Sequence, residues 1–174
     1  MVVNVKTPDE VIKKKIEEKR KQEEAEREAR KQYVQAAASS NASLNIGAPA
    51  VDGKIASINP YPLAGGYWTN CTWSAWQMVY QNEGVQLPKW GNAAEWYYNA
   101  IVSGYSVDSN PKAGDVAVYG GNGLGHVAYV SEVSPDGNFV YVQQGNWAGT
   151  YSENWNSCYS TINGLSCSAY IHVK

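Results

Sequence analysis

The sequence predicts an α+β domain, with helices packed on an antiparallel sheet, preceded by a separate charged helix. Three observations lead there. Charge concentrates at the N-terminus: residues 1–35 hold 10 Lys and Arg with 8 Asp and Glu, against 4 and 8 in residues 36–174. All seven Trp and twelve of the thirteen Tyr fall in the second part, so only that part can bury a core. Within it, aromatics at helical spacing come first and period-two alternation follows, the order expected when helices lie on one side of a sheet.

The charged helix opens at Thr7-Pro8-Asp9-Glu10, where Thr7 can cap, Pro8 suits the first helical position and Glu10 completes a capping box. Nothing breaks a helix from there to Ala38, and Glu10–Lys14, Glu17–Lys21, Glu23–Arg27 and Glu26–Arg30 are i,i+4 pairs in the favourable orientation. Apolar residues sit only at the two ends (Val11, Ile12, Ile16, then Tyr33, Val34), without a sustained heptad seam. Residues 1–38 therefore read as a solvated helix, a spacer or the tail of a coiled coil, with self-association or a protein partner as its candidate roles. Residues 39–60 are small, polar and broken by Gly and Pro, the composition of a flexible linker, and residues 61–174 form the domain proper.

In that domain, Cys71 to Glu83 lacks breakers, spaces Trp73, Trp76 and Tyr80 helically, and meets its stop at Gly84. A second helix is predicted from Asn92 to Val102, before Gly104. After Pro111 the pattern becomes strands: 115–119, 126–133, 138–143 and 168–173. The net charge of −2 gives no argument for a nucleic-acid partner. No apolar run is long enough to span a bilayer or to serve as a signal peptide. The cysteines are Cys71, Cys158 and Cys167, an odd count that suggests one pair and one free thiol. The turn-rich segment between Cys158 and Cys167 favours a disulfide there, hence an oxidising compartment, and leaves Cys71 free.

Cys71 sits in the first turn of its helix, with Thr69 or Asn70 as cap. Unpaired N–H groups and the helix dipole favour a thiolate there, and the Cys71 N–H can hold an oxyanion during acyl transfer. A base must come from two histidines. His172, near the end of the last strand, reads as a surface or edge residue. His126 follows the glycine-rich stretch 120–125 and opens a strand; no helix follows those glycines, which argues against a phosphate-binding loop. The next turn, Ser134-Pro-Asp-Gly-Asn138, suits a three-residue loop with Gly137 left-handed. Pairing Ser134 with Asn138 sets Val130 opposite Val142 and His126 opposite Asn146. Gln144 and Asn146 then share a face with His126, and either amide can accept the imidazole N–H. One bulge would reverse that face.

Four blocks in order, Asn70-Cys-Thr-Trp73, Leu87-Pro-Lys-Trp-Gly-Asn-Ala-Ala-Glu-Trp96, Pro111-Lys-Ala-Gly-Asp-Val-Ala-Val118 and Gly125-His-Val-Ala-Tyr-Val130, resemble the motifs of CHAP domains. These are cysteine, histidine-dependent amidohydrolases/peptidases of bacterial and phage cell-wall enzymes. The resemblance covers roughly Tyr61 to Lys174. It implies a papain-like fold and hydrolysis of an amide or peptide bond of peptidoglycan, the expected partner, through an acyl-thioester without a cofactor. It also implies an extracellular or wall-associated setting. Cys71 would be the nucleophile and His126 the base, with Gln144 and Asn146 orienting it. Asn70 would be a further oxyanion donor, and Trp68, Trp147 and Trp155 groove walls, with Trp73 as readily a core residue.

Two departures from the family pattern stand out. CHAP domains usually carry Glu where this chain has Gln144, which can orient an imidazole but cannot stabilise its cation by charge. Some phage members bind calcium through acids just before the cysteine, and residues 59–70 contain none, so no metal is expected. The neutral Gln144 motivates an alternative reading, a weakly active or inactive wall-binding or scaffold module. A third reading, an amidohydrolase of small non-wall amides, fits the open, aromatic-rich character less well.

Overall fold

The computed structural model describes residues 17–18, 20–21, 25, 48–63, 66–120, 123–147, 150–158, 161–162 and 165–174. The chain divides into two units, Met1–Leu44 and Asn45–Lys174. In the first, residues 17, 18, 20, 21 and 25 are helical and exposed, and Lys21 pairs with Glu17 at 3.3 Å. That surface pair is one of the four predicted, and it contributes about 0.3–0.5 kcal/mol. The other three pairs, both helix ends and the coiled-coil question lie outside the described residues.

The second unit begins earlier than the sequence predicts. Residues 48–60, read as linker, are docked on the domain. Helix α1 (Gly53–Ile58) is capped by Asp52, and Val51, Ile55 and Ala56 pack against the core. The anchors are side chains distant in sequence. Trp68 donates from Nε1 to the Pro49 carbonyl (3.1 Å), Gln81 donates to the Ala50 carbonyl (3.2 Å), and Asn59 donates to the Trp73 carbonyl (3.0 Å). No local pattern shows such bonds, which is why the composition alone read as a linker.

Helix α2 (Cys71–Glu83) forms as predicted, and Gly84 ends it with a left-handed φ of 69° that a side chain would resist. Its Trp73, Trp76, Met78 and Val79 are buried. Trp76 donates from Nε1 to the Leu87 carbonyl at 2.7 Å, so its burial leaves no orphan donor. The predicted second helix is a 3-10 turn (Ala93–Glu95) running into α3 (Trp96–Val102).

Among the described residues seven strands follow: β1 (Val107–Asp108), β2 (Val116–Gly120), β3 (His126–Val133), β4 (Phe139–Trp147), β5 (Thr150–Ser157), β6 (Thr161–Ile162) and β7 (Leu165–Ile171). The order is β1-β7-β2-β3-β4-β5, all antiparallel, with β6 paired to β7. One face packs Val116, Val118, Val127, Tyr129 and Ile171 against α2 and α3. The other buries Ala117, Tyr119, Ala128, Val130, Val140, Val142, Cys158 and Tyr170. In a flat sheet, four strand steps would put β7 about 19 Å from β5. Tyr170 of β7 nevertheless donates to the carbonyl of Cys158, just beyond β5, at 3.2 Å. The sheet therefore curls until its two sides meet over the second cluster.

That curl brings Cys158 and Cys167 into one neighbourhood without joining them. Both thiols are free: Cys158 Sγ lies 3.2 Å from the Gly137 carbonyl and Cys167 Sγ 3.9 Å from the Ala169 carbonyl. The predicted disulfide is corrected on this point. Sequence closeness favoured it, but the Cys158 sulfur is turned to the β3–β4 turn at Gly137 and the Cys167 sulfur to Ala169 of its own strand.

Candidate active site

Asn70 is the cap of α2. Its Oδ1 accepts from the Thr72 N–H (3.0 Å), the Thr72 hydroxyl (2.7 Å) and the Trp73 N–H (3.5 Å), worth about 1 kcal/mol to the helix. Its Nδ2 is turned toward the Pro62 carbonyl at 3.4 Å, so the amide named as an oxyanion donor is engaged in shaping the helix start. The cap takes the N–H groups of Thr72 and Trp73 and leaves that of Cys71 as the first donor of the helix.

The chain enters this helix through Trp68, a non-glycine residue held at φ 66°. Such a conformation costs about 1–3 kcal/mol and persists only where its surroundings impose it. Here they do. The Trp68 ring, 2% exposed, stands edge-on to Trp73 at 5.3 Å and packs on Tyr151 at 5.7 Å. Trp68 and Trp73 are thus core residues, and the groove-wall reading of Trp68 is corrected.

The Cys71 side chain is half-buried, and the backbone N–H of Val127 points at its sulfur. Val127 follows His126, so the helix start and the first residues of β3 meet at the thiol. Burial pushes the Cys71 thiol up, and the N–H groups of Val127, Thr72 and Cys71 pull it back only in part. The helix start favours the anion, as the sequence argues, and desolvation acts against it.

His126 is buried and tilts against Tyr119, with centroids 5.7 Å apart. Its Nε2 lies 2.8 Å from Gln144 Oε1. A carbonyl oxygen only accepts, so Nε2 carries the proton and Nδ1 the lone pair of the neutral ring. Burial lowers the His126 pKa below its ordinary value, and the bond to Gln144 offsets part of that.

The register that achieves this differs from the predicted one in two places. The turn closes one residue wider, with Ser134 N–H donating to the Phe139 carbonyl at 2.8 Å and Val133 opposite Val140. A shift between Val130 and Glu132 then restores Val130 opposite Val142, as predicted. The two one-residue offsets cancel, and Gln144 reaches the face of His126. Asn146 lies in β4, but its side chain, like that of Trp147, is outside the described residues.

Gln144, 1% exposed, donates from Nε2 to Asn154 Oδ1 at 3.0 Å, and Asn154 donates to Asn156 Oδ1 at 2.7 Å. The sequence reading missed both asparagines because β5 itself went unpredicted. Its signal is a polar alternation, Ser152, Asn154, Asn156, on the face shared with Gln144. Trp155 belongs to the opposite face, paired with Tyr141 at 5.3 Å between centroids, so its groove role beside His126 is corrected. The exposed apolar residues nearest the site in sequence are Tyr67 (53%) and Leu124 (69%). His172 is no surface residue. It is buried between Asp115 (2.9 Å from Nδ1) and Asp108 (3.0 Å from Nε2), where it ties β1 to the end of β7 and has no part in the site.

Comparison with known proteins gives the family context. The model of the CHAP domain matches residues 61–146. "Probable autolysin SsaALP" of Staphylococcus aureus is 30% identical over 103 residues, 59% of this chain and 37% of that one. An N-acetylmuramoyl-L-alanine amidase of Staphylococcus epidermidis is 31% identical over 100 residues, 55% of this chain and 28% of that one. The crystal structure of an N-acetylmuramoyl-L-alanine amidase from S. aureus superposes with a TM-score of 0.50 at 24% identity, covering 60% of this chain and 30% of that one. That likeness shows a shared fold. The chain spans well under half the length of these relatives.

Proposed function

Residues 61–146 are a CHAP domain, and from that premise we propose that the chain hydrolyses an amide or peptide bond of peptidoglycan with Cys71 as nucleophile and His126 as base. The observation that carries this reading is the meeting of the Cys71 thiol with the Val127 N–H, one residue along from an imidazole whose Nε2 is bound to Gln144 at 2.8 Å.

With thiol and imidazole both neutral at rest, proton transfer accompanies attack. His126 Nδ1 takes the thiol proton as sulfur adds to the scissile carbonyl carbon, and the Cys71 N–H holds the resulting oxyanion. Collapse breaks the C–N bond, the amine leaves with the proton held by His126, and an acyl-thioester remains. Water, deprotonated by the same nitrogen, then releases the acid and the thiol. Tyr67 and Leu124, exposed and close in sequence to Cys71 and His126, are the apolar residues assigned to meet the substrate in this reading. The names of the relatives, an autolysin and amidases, support peptidoglycan as the substrate.

The test is digestion of purified peptidoglycan followed by mass spectrometry of new ends. Sugar chains freed of stem peptide identify an amidase, and new amino termini within peptides identify an endopeptidase. The absence of any new end overturns the reading in favour of wall binding without turnover, which the neutral Gln144 makes the second choice.

Gln144 also gives a pH prediction. A protonated His126 cannot accept the thiol proton, so activity falls as pH drops through the His126 pKa, which lies below its ordinary value in this chain. Gln144→Glu places a carboxylate on Nε2 and stabilises the imidazolium. The acid limb of kcat/KM is expected to move up by about 1–3 pH units, and turnover above that limb to rise about tenfold or more. An unmoved acid limb means that His126 is not the titrating base.

A further inference from the structure

The buried amides behind His126 have a direction. We propose that Asn154 is the positioning residue of this site: through Gln144 it fixes which imidazole nitrogen carries the proton. This rests on the assignment of Cys71 and His126 above and goes beyond it.

A glutamine can turn either end of its amide to a histidine, and the two ends demand opposite tautomers. With Oε1 on His126 Nε2, the proton sits on Nε2 and the lone pair on Nδ1. With the amide reversed, its NH2 would require an acceptor at Nε2, and the proton would move to Nδ1, which could then accept nothing from a thiol. A carboxylate has no such ambiguity, because both of its oxygens accept. The neutral Gln144 therefore needs an orienting partner that a Glu would not.

Asn154 meets that need. Its Oδ1 accepts from Gln144 Nε2 at 3.0 Å and would face a second oxygen if Gln144 reversed. Asn154 is held in turn, since its Nδ2 donates to Asn156 Oδ1 at 2.7 Å. The hydrogen bonds thus run in one sense from His126 through Gln144 and Asn154 to Asn156. At the far end the Asn156 amide is turned to the hydroxyl of Tyr119, the ring against which His126 packs. Reversing one member alone puts two oxygens or two NH2 groups in contact, a penalty of the kind that keeps buried polar networks in a single arrangement. Gln144 at 1% exposure cannot recover the lost bond from water.

The test is a double-mutant cycle on the full chain together with nitrogen-15 spectra of the His126 ring. In the Gln144 background, Asn154→Ala is expected to lower kcat about tenfold with KM unchanged. In the Gln144→Glu background the same change is expected to alter kcat less than about twofold. An equal loss in both backgrounds shows a merely structural role and overturns the proposal, as does no loss in either. The spectra are read independently of turnover. The unsubstituted chain should show a proton on Nε2 and none on Nδ1 above the His126 pKa, and Asn154→Ala should give a mixture of tautomers. An unchanged tautomer in Asn154→Ala overturns the proposal even if the chain is active. A tautomer that responds as expected in a chain without hydrolytic activity leaves the positioning role standing and rejects the hydrolase reading alone.

Discussion

Cys71→Ala is expected to abolish release of new ends from peptidoglycan, a loss of about 10^4-fold or more, while leaving the fold intact. The size follows from the role. Without the sulfur no acyl-thioester forms, and what survives is the Cys71 N–H and substrate binding, which act on an attack by water. The fold should tolerate the change because Cys71 is the first residue of α2, half-buried, with alanine at least as good a helix former. The cap is untouched, since Asn70 bonds the N–H groups of Thr72 and Trp73. The measurement is turnover beside a melting curve. Cys71→Ala that clears a wall suspension at the original rate rejects the nucleophile, and one that melts early leaves Cys71→Ser to separate chemistry from stability. Serine keeps the shape, but its hydroxyl ionises far above the thiol, so it should be inert as well.

Gly145→Ala is expected to have the largest effect on stability. A Cβ on Gly145 would lie 1.8 Å from the Trp68 carbonyl oxygen, 2.1 Å from Ser74 Oγ and 2.6 Å from the Trp68 carbonyl carbon. Two of those atoms are backbone of a residue already held at φ 66°, so they cannot give way cheaply. Relief requires β4 to back away from α2, at a cost of about 3 kcal/mol and a fall in Tm of about 10 °C. The same movement would draw Gln144 from His126, so activity should drop by more than the unfolded fraction explains. Gly53→Ala is the control, because nothing lies within 4 Å of its Cβ position. A Gly145→Ala chain that melts with the original would mean that β4 and the α2 entry are not held in this contact.

Gly145 also shows where sequence reading stops. It stands between two candidate residues, Gln144 and Asn146, with nothing in its neighbours to mark it, and its importance is a contact with a residue 77 positions earlier. Trp68 misled for a related reason: next to a reactive cysteine an aromatic suggests a ligand wall, yet its ring fills the core beneath the turn. β5 escaped notice because the usual strand signal is apolar alternation. Its Ser152, Asn154 and Asn156 face a polar relay, and on its other side Glu153 is buried among Gln143 and the hydroxyls of Tyr141 and Tyr151.

The sequence by itself determined the features that depend on neighbours along the chain. These are the α2 helix with its start at Cys71 and its stop at Gly84, and the antiparallel pairing of β3 with β4 that sets Val130 opposite Val142. Capping, helical spacing and strand alternation are local effects, and they act before any distant contact forms. Only the tertiary structure decided the protonation of the site and its supports. Desolvation pushes the Cys71 thiol up against the pull of its helix, the curl of the sheet packs Cys158 and Cys167 without bonding them, and β5 supplies the amide bonded to Gln144. Each of these depends on what distant segments exclude or place at a point, and burial of that kind has no signature in the order of neighbouring residues.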